Sequence, residues 1–248
     1  MYLIGDIGNT EIKICLFNNS FKIINRTILK TNLINKSYLS KKLKYLIFYK
    51  KKINIILFSS VVPMAFKILK EYIKKITNKK CYELKDVELK NLIKIKVNKK
   101  QVGSDRIANA ISVIDKKSNY IILDFGTATT FDVVVRDQYL GGIIAPGLSI
   151  SLETLISKAS LIPKMNLSKI SHIIGKNTKS AVKSGFYWGY IGLINNIIYL
   201  IRKETCKSYK LIITGGFSYL FKNSFSHKTI INKDLTMEGL LKIAKKIK

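Results

Sequence analysis

The feature that most constrains this chain is a pattern that occurs twice. Ile4-Gly5-Asp6-Ile7-Gly8-Asn9-Thr10 is matched by Leu123-Asp124-Phe125-Gly126-Thr127-Ala128-Thr129, with the two aspartates 118 residues apart in a chain of 248. Each copy is preceded by an apolar strand, one that starts at Tyr2 and gives way to a sharp turn at Gly5 to Thr10, the other running from Tyr120 to Leu123, and is followed by another, Ile12 to Phe17 or Thr130 to Val135. A repeat with a period of nearly half the chain predicts two similar α/β domains, 1–117 and 118–248, whose equivalent turns can face one another across a cleft.

Between the copies, the apolar run Ile53 to Phe58 predicts a strand, and the spacing from Ala65 to Ile76 predicts a helix after Ser59-Ser60-Val61-Val62-Pro63. A further helix is expected over Ile107 to Ile114. The second half continues with the segment Tyr139 to Gly147, and then predicts a helix from Ser149, a long helix over 180–203, a strand over 210–214 and a last helix from Met237, whose lysines 242, 245, 246 and 248 read as a solvated face.

Composition removes several function classes. With 47% hydrophobic residues and 3 prolines the chain can bury a core, which argues against disorder. Cys15, Cys81 and Cys206 are odd in number and far apart, so neither a disulfide framework nor a zinc site is expected. No run reaches the roughly 18 apolar residues of a membrane helix, and the start of the chain lacks the pattern of a signal peptide, so a cytoplasmic protein without membrane contact is expected. The formal charge of +29 suggests a polyanion. Its carriers, however, are forty lysines against four arginines, scattered along a chain rich in Ile and Asn. Compositional drift explains that pattern without a nucleic-acid site, and no specific nucleic acid is expected. Where an arginine is kept, as at 106, its planar fork is the feature to watch.

Two clusters can carry chemistry. In Asp6-Ile7-Gly8-Asn9-Thr10-Glu11-Ile12-Lys13, the amides of a glycine turn can bind phosphate oxygens, Thr10 adds a hydroxyl, and Asp6 can hold a phosphate-bound magnesium ion. The same residue types also make plain hairpin turns, but the second copy at Asp124 favours nucleotide binding. Neither a Walker loop nor a dinucleotide fingerprint is present. In Gly103-Ser104-Asp105-Arg106, Asp105 sits where a first-turn acid stabilises a helix, and equally where a base could accept a hydroxyl proton while Arg106 holds an anionic substrate. His172 and His227 stand alone and read as packed or surface residues. The aromatic group Phe186, Tyr187, Trp188 and Tyr190 reads as core or dimer packing.

These motifs, together with Gly141-Gly-Ile-Ile-Ala-Pro-Gly147, Gly175-Lys-Asn-Thr178, Gly185 and Thr214-Gly-Gly216, make a chain that resembles the type III pantothenate kinases over essentially its whole length. The resemblance implies two ribonuclease H-like domains of the actin-like ATPase fold. It also implies phosphorylation of pantothenate by ATP to 4′-phosphopantothenate, the first step of coenzyme A synthesis, by a homodimer. By motif, Asp6 to Lys13 and Thr127 would meet ATP, and Asp105 would be the catalytic base. Gly103, Ser104, Asp105, Arg106 and Thr178 would contact pantothenate, and Asp124 would bind a monovalent cation, potassium or ammonium. Lys96 and Lys99 stand where the family usually has Tyr and Pro. Two rival readings are a noncatalytic regulator or nucleic-acid binder of the same family, and a kinase for another small hydroxyl compound.

Overall fold

A computed structural model describes residues 1–247. The strands are β1 (Tyr2–Ile7), β2 (Glu11–Phe17), β3 (Ile23–Lys30), β4 (Ile55–Ser60), β5 (Cys81–Glu83), β6 (Lys94–Ile95), β7 (Asn119–Phe125), β8 (Ala128–Val135), β9 (Gln138–Pro146), β10 (Lys210–Gly215) and β11 (Thr229–Ile231). The α-helices are α1 (Lys36–Lys42), α2 (Leu46–Tyr49), α3 (Pro63–Thr77), α4 (Ser104–Val113), α5 (Leu148–Lys158), α6 (Thr178–Thr205) and α7 (Leu235–Ala244).

The chain forms two compact units. The first holds residues 1–114 with 137–139 and 234–247, and the second holds 115–136 and 140–233. The last helix therefore belongs with the sheet of the first unit. Its Gly239 lies so close to α4 that a Cβ there would sit 1.9 Å from the Ala108 carbonyl oxygen. Only a residue without a side chain lets the helices approach to that distance.

The two sheets repeat one plan. The first is ordered β3-β2-β1-β4-β5, and the second contains β9-β8-β7-β10-β11, with β6 beyond β9. In the first, β1 pairs antiparallel with β2 and parallel with β4. In the second, β7 pairs antiparallel with β8 and parallel with β10. Parallel strands need crossovers that cover the sheet, and their apolar runs are buried accordingly. In the first unit, Leu3, Ile7, Ile14, Leu29 and Phe58 pack with Leu69 and Ile73 of α3. In the second, Ile121, Leu123 and Phe131 pack with Ile194 and Ile198 of α6. Tyr187 of α6 is 2% exposed and stacks on Phe221 with ring centroids 5.8 Å apart, so that member of the aromatic group is core.

Helix boundaries follow local chemistry. Pro63 at the first turn starts α3, where its missing N–H costs nothing, and Asn78 ends it in the left-handed conformation. For α6, the Asn177 side chain accepts from the Ser180 amide while the Ser180 hydroxyl accepts from the Asn177 amide, a reciprocal capping box. The lysines of the last helix are tethered as well as solvated: Lys242 donates to the Ser112 carbonyl, and the Lys245 ammonium lies 3.3 Å from the Phe21 ring centroid. Lys248 lies outside the described residues. Among those residues, no helix is long and apolar enough to cross a membrane.

Candidate active site

Ligands of open α/β sheets bind beyond the carboxyl ends of the parallel strands. In the first unit those ends belong to β1 and β4, and Asp6 is the penultimate residue of β1. Parallel pairing sets Asp6 beside Ser59, and antiparallel pairing sets it beside Lys13. The Ser59 hydroxyl, fully buried, donates to Asp6 Oδ1 at 2.6 Å. Burial pushes the Asp6 carboxyl up to about 6; the Ser59 hydrogen bond pulls it down, the charge of Asp105 pushes it up, and Lys13 pulls it down. As a whole residue Asp6 is half-buried at the strand end.

The turn after Asp6 is fixed by its neighbours. The Gly8 amide donates to the Glu11 carbonyl at 2.9 Å, the Thr31 hydroxyl to the Gly8 carbonyl at 2.8 Å, and the Thr31 amide to the Thr10 carbonyl at 3.0 Å. Asn9, Thr10, Glu11 and Lys13 are exposed, whereas Ile7 and Ile12 are fully buried. The isoleucines of the expected phosphate loop can therefore meet a ligand only through their backbone; their side chains belong to the core because β-strand residues alternate between faces.

Asp105 lies in the first turn of α4 after Gly103. A Cβ at Gly103 would fall 2.4 Å from Asp105 Oδ1, so glycine leaves the space that this carboxylate fills. The same oxygen accepts from the Arg106 amide at 2.9 Å. Ser104 is fully buried and donates to the Ser60 carbonyl at 3.4 Å, and the Ser60 hydroxyl accepts from the Val62 amide at 3.1 Å. Arg106 is half-buried. The first unit thus brings Asp6, Ser59, Ser104 and Asp105 to one end of β1 and β4.

In the second unit Asp124 takes the place of Asp6. It pairs with Thr130 of β8 and, across the parallel strands, with Thr214 of β10. Gly215 has φ +87°, and a Cβ there would fall 2.6 Å from Asp124 Oδ1 and 2.5 Å from the Phe125 carbonyl carbon. A Cβ at Gly147, which precedes α5, would fall 1.9 Å from the Thr127 carbonyl oxygen. The Gly141 to Gly147 and Thr214 to Gly216 motifs therefore converge on the 124–127 turn. Carboxylate and carbonyl oxygens around such a cradle are the hard donors that a potassium-sized cation takes. Among the described residues no three His, Cys, Asp or Glu side chains gather into a metal site.

Thr178 opens α6 in the second unit and is exposed. Lys99, at the family's proline position, donates to the carbonyls of Lys85 at 3.2 Å and Val87 at 3.0 Å, so its ammonium braces a turn; Lys96 is exposed. His172 is exposed, and His227 lies against Arg202, whose guanidinium nitrogen is 3.3 Å from its ring. Burial and that cation push the imidazole pKa down. Sequence reasoning did not connect Ser59 with Asp6, although the serine pair was visible at the end of an apolar run.

Two half-sheets of one strand order, each ending in an aspartate turn, define the actin-like ATPase fold of sugar kinases. A Campylobacter jejuni protein described as a Baf family transcriptional activator superposes with a TM-score of 0.60 at 23% identity, covering 98% of this chain and 97% of that one. A Sinorhizobium meliloti protein described as a 2-dehydro-3-deoxygalactonokinase superposes with a TM-score of 0.59 at 7% identity, covering 99% and 98%. The sequence profile of type III pantothenate kinase matches residues 2–199, and the chain belongs to that family. It is 58% identical to the type III pantothenate kinase of Pelagibacter ubique (strain HTCC1062) over the full length of both chains. It is 36% identical to that of Desulforapulum autotrophicum over 98% of this chain and 96% of the relative.

Proposed function

We propose that this chain transfers the γ-phosphoryl group of ATP to the primary hydroxyl of pantothenate, with Asp105 as the general base. The observation that carries this reading is the placement of two acids in one unit: Asp6 at the end of β1 accepts from Ser59, and Asp105 in the first turn of α4 follows Ser104, which donates to the carbonyl of the neighbouring Ser60. One Asp105 oxygen is occupied by the Arg106 amide. The other accepts the hydroxyl proton as the substrate oxygen attacks phosphorus and ADP leaves. Gly103 and Arg106 line the pantothenate side, Ser104 braces them from within the core through the Ser60 carbonyl instead of meeting the substrate with its side chain, Arg106 offers a guanidinium to the substrate carboxylate, and Thr178 is a further contact.

Residues Asp6 to Lys13 hold the ATP phosphates through the exposed turn at Asn9 and Thr10, the Gly8 amide being taken by the Glu11 carbonyl, with Thr127 as a second contact. Magnesium, when bound at Asp6, supplies charge neutralisation for the phosphates. Asp124 holds potassium or ammonium. The acceleration comes mainly from positioning and electrostatics. The sheets β1–β5 and β7–β11 are read as copies of one domain, with the expected division after residue 117 modified by α7, which packs in the first unit, and the protein is read as a cytoplasmic homodimer. Supporting a second copy, α6 buries Ile191, Ile194 and Ile198 on one face while leaving Tyr199 and Leu200 exposed at 59% and 49%. The scattered lysines give salt-sensitive, unspecific nucleic-acid affinity without a part in function.

A coupled assay of ADP release tests the reading. ADP release that depends on pantothenate and is faster in potassium than in sodium is expected. Release that is indifferent to pantothenate, or that needs another hydroxyl compound, would overturn it.

A further inference from the structure

The serine pair at the end of β4 has no part in the reaction described so far, yet its position is defined by both acids. Ser59 stands beside Asp6 in the parallel register, is fully buried, and donates to Asp6 Oδ1 at 2.6 Å. A buried hydroxyl donating to a carboxylate at that distance is a charge-assisted hydrogen bond, shorter and stronger than a neutral one. It takes one oxygen and one direction of the carboxylate, and so sets how the other oxygen is presented. The next residue serves the second acid: the Ser60 carbonyl receives the hydroxyl of Ser104, which directly precedes Asp105. The second unit supports the same reading independently. There Thr214, also buried, stands beside Asp124 in the equivalent parallel register, so each strand-end aspartate has a buried hydroxyl residue across the parallel pair.

We propose that Ser59 is a positioning residue that fixes the Asp6 carboxylate for the magnesium-bearing phosphates of ATP. This rests on the reading of Asp6 as the acid of the ATP site. It predicts a defect confined to nucleotide and divalent ion, because Ser59 touches Asp6 and not the Asp105 carboxylate.

Ser59→Ala, Ser59→Thr and Asp6→Asn are compared with the wild-type protein. Binding of a magnesium complex of a nonhydrolysable ATP analogue is measured by calorimetry, and KM for magnesium-ATP and for pantothenate by ADP release. Ser59→Ala should weaken analogue binding and raise KM for magnesium-ATP by about tenfold, the scale of one hydrogen bond to a charged group, with KM for pantothenate within about twofold of wild type. Ser59→Thr, which keeps the hydroxyl and has its precedent in Thr214, should recover most of the loss. If Ser59→Ala unfolds below the assay temperature, Ser59→Cys replaces it, keeping the volume with a weak donor. Unchanged analogue affinity in the variant lacking the hydroxyl overturns the role of Ser59, as does an equal loss in Ser59→Thr. Wild-type analogue affinity in Asp6→Asn overturns instead the reading of Asp6, and with it this one.

Discussion

The turn after Asp6 and the turn after Asp124 share a strand plan but are held in place by different means. The first is tied by hydrogen bonds: Thr31 reaches Gly8 and Thr10 from outside the hairpin, and a Cβ at Gly8 would come no nearer than 3.2 Å to any neighbour, the Glu11 carbonyl oxygen. The second is held by contact, with Gly147 and Gly215 pressed against the carbonyls of Thr127 and Phe125 at distances no side chain tolerates. A turn fastened by a few polar bonds presents its amides to a large ligand that supplies the remaining contacts. A turn wedged by glycines fixes carbonyl oxygens at set positions, which suits a bare ion better than a nucleotide. The register of the parallel strands is the same in the two units, while the connections around the turns differ.

The largest effect should come from the acid without a counterpart in the second turn. Asp105→Asn is nearly isosteric but cannot take a proton, and kcat should fall by about 10²–10⁴ with the circular dichroism spectrum unchanged. Wild-type turnover would remove the asymmetry between the units.

Asp6 comes next, through stability. Its folded pKa of about 6 lies above the ordinary carboxylate value of 3.8, so folding disfavours the ionised form. Stability contributed by the protonated acid is therefore present below the unfolded pKa and is lost as pH rises through the window from about 4 to about 6. Without nucleotide, Asp6→Asn should be more stable than wild type at pH 7 by at most about 3 kcal/mol, and the difference should vanish near pH 4. Chemical denaturation at both pH values measures it; a variant that is less stable at pH 7 would contradict the burial argument.

The glycine contrast is testable directly. Gly215→Ala forces a side chain into a left-handed position against backbone and should cost about 2 kcal/mol or more, while Gly8→Ala should cost less than about 1 kcal/mol. Equal losses in melting experiments would mean that the two turns are equally constrained. Smallest is the cation effect. Asp124→Ala, or sodium in place of potassium at fixed ionic strength, should slow turnover by about tenfold, equivalent to about 1.4 kcal/mol. Equal rates in potassium, sodium and a bulky organic cation would take the ion away from the second turn.

Much of this was legible because strand ends and glycine turns leave local marks. The paired aspartates, the first hairpin and the long helix of the second unit follow from periodicity and turn chemistry. What the sequence hid was register. The apolar run 53–58 suggests a strand ending at Phe58, so the serines read as loop; pairing runs through Ser60, and that extension is what sets Ser59 beside Asp6. Polar residues at a strand end carry no periodic signal, because the partner strand decides whether they are paired. β3 was equally hidden, since Ile23–Lys30 lies at the sheet edge with most side chains exposed and mixes Ile with Asn, Arg and Thr instead of alternating. Gly239 gave no sign that α7 packs on α4, a contact between residues far apart in sequence.

That return of α7 to α4 has a consequence for how the protein is made. At a synthesis rate of about 5–20 residues per second, the stretch between Ala108 and Gly239 takes on the order of ten seconds to emerge. For that interval the nascent first unit carries β1 and β4 with one face uncovered, and its acids have no finished scaffold. A polypeptide arrested before Leu235 lacks the helix that packs on α4, β1 and β4, and so leaves apolar surface of the first unit open.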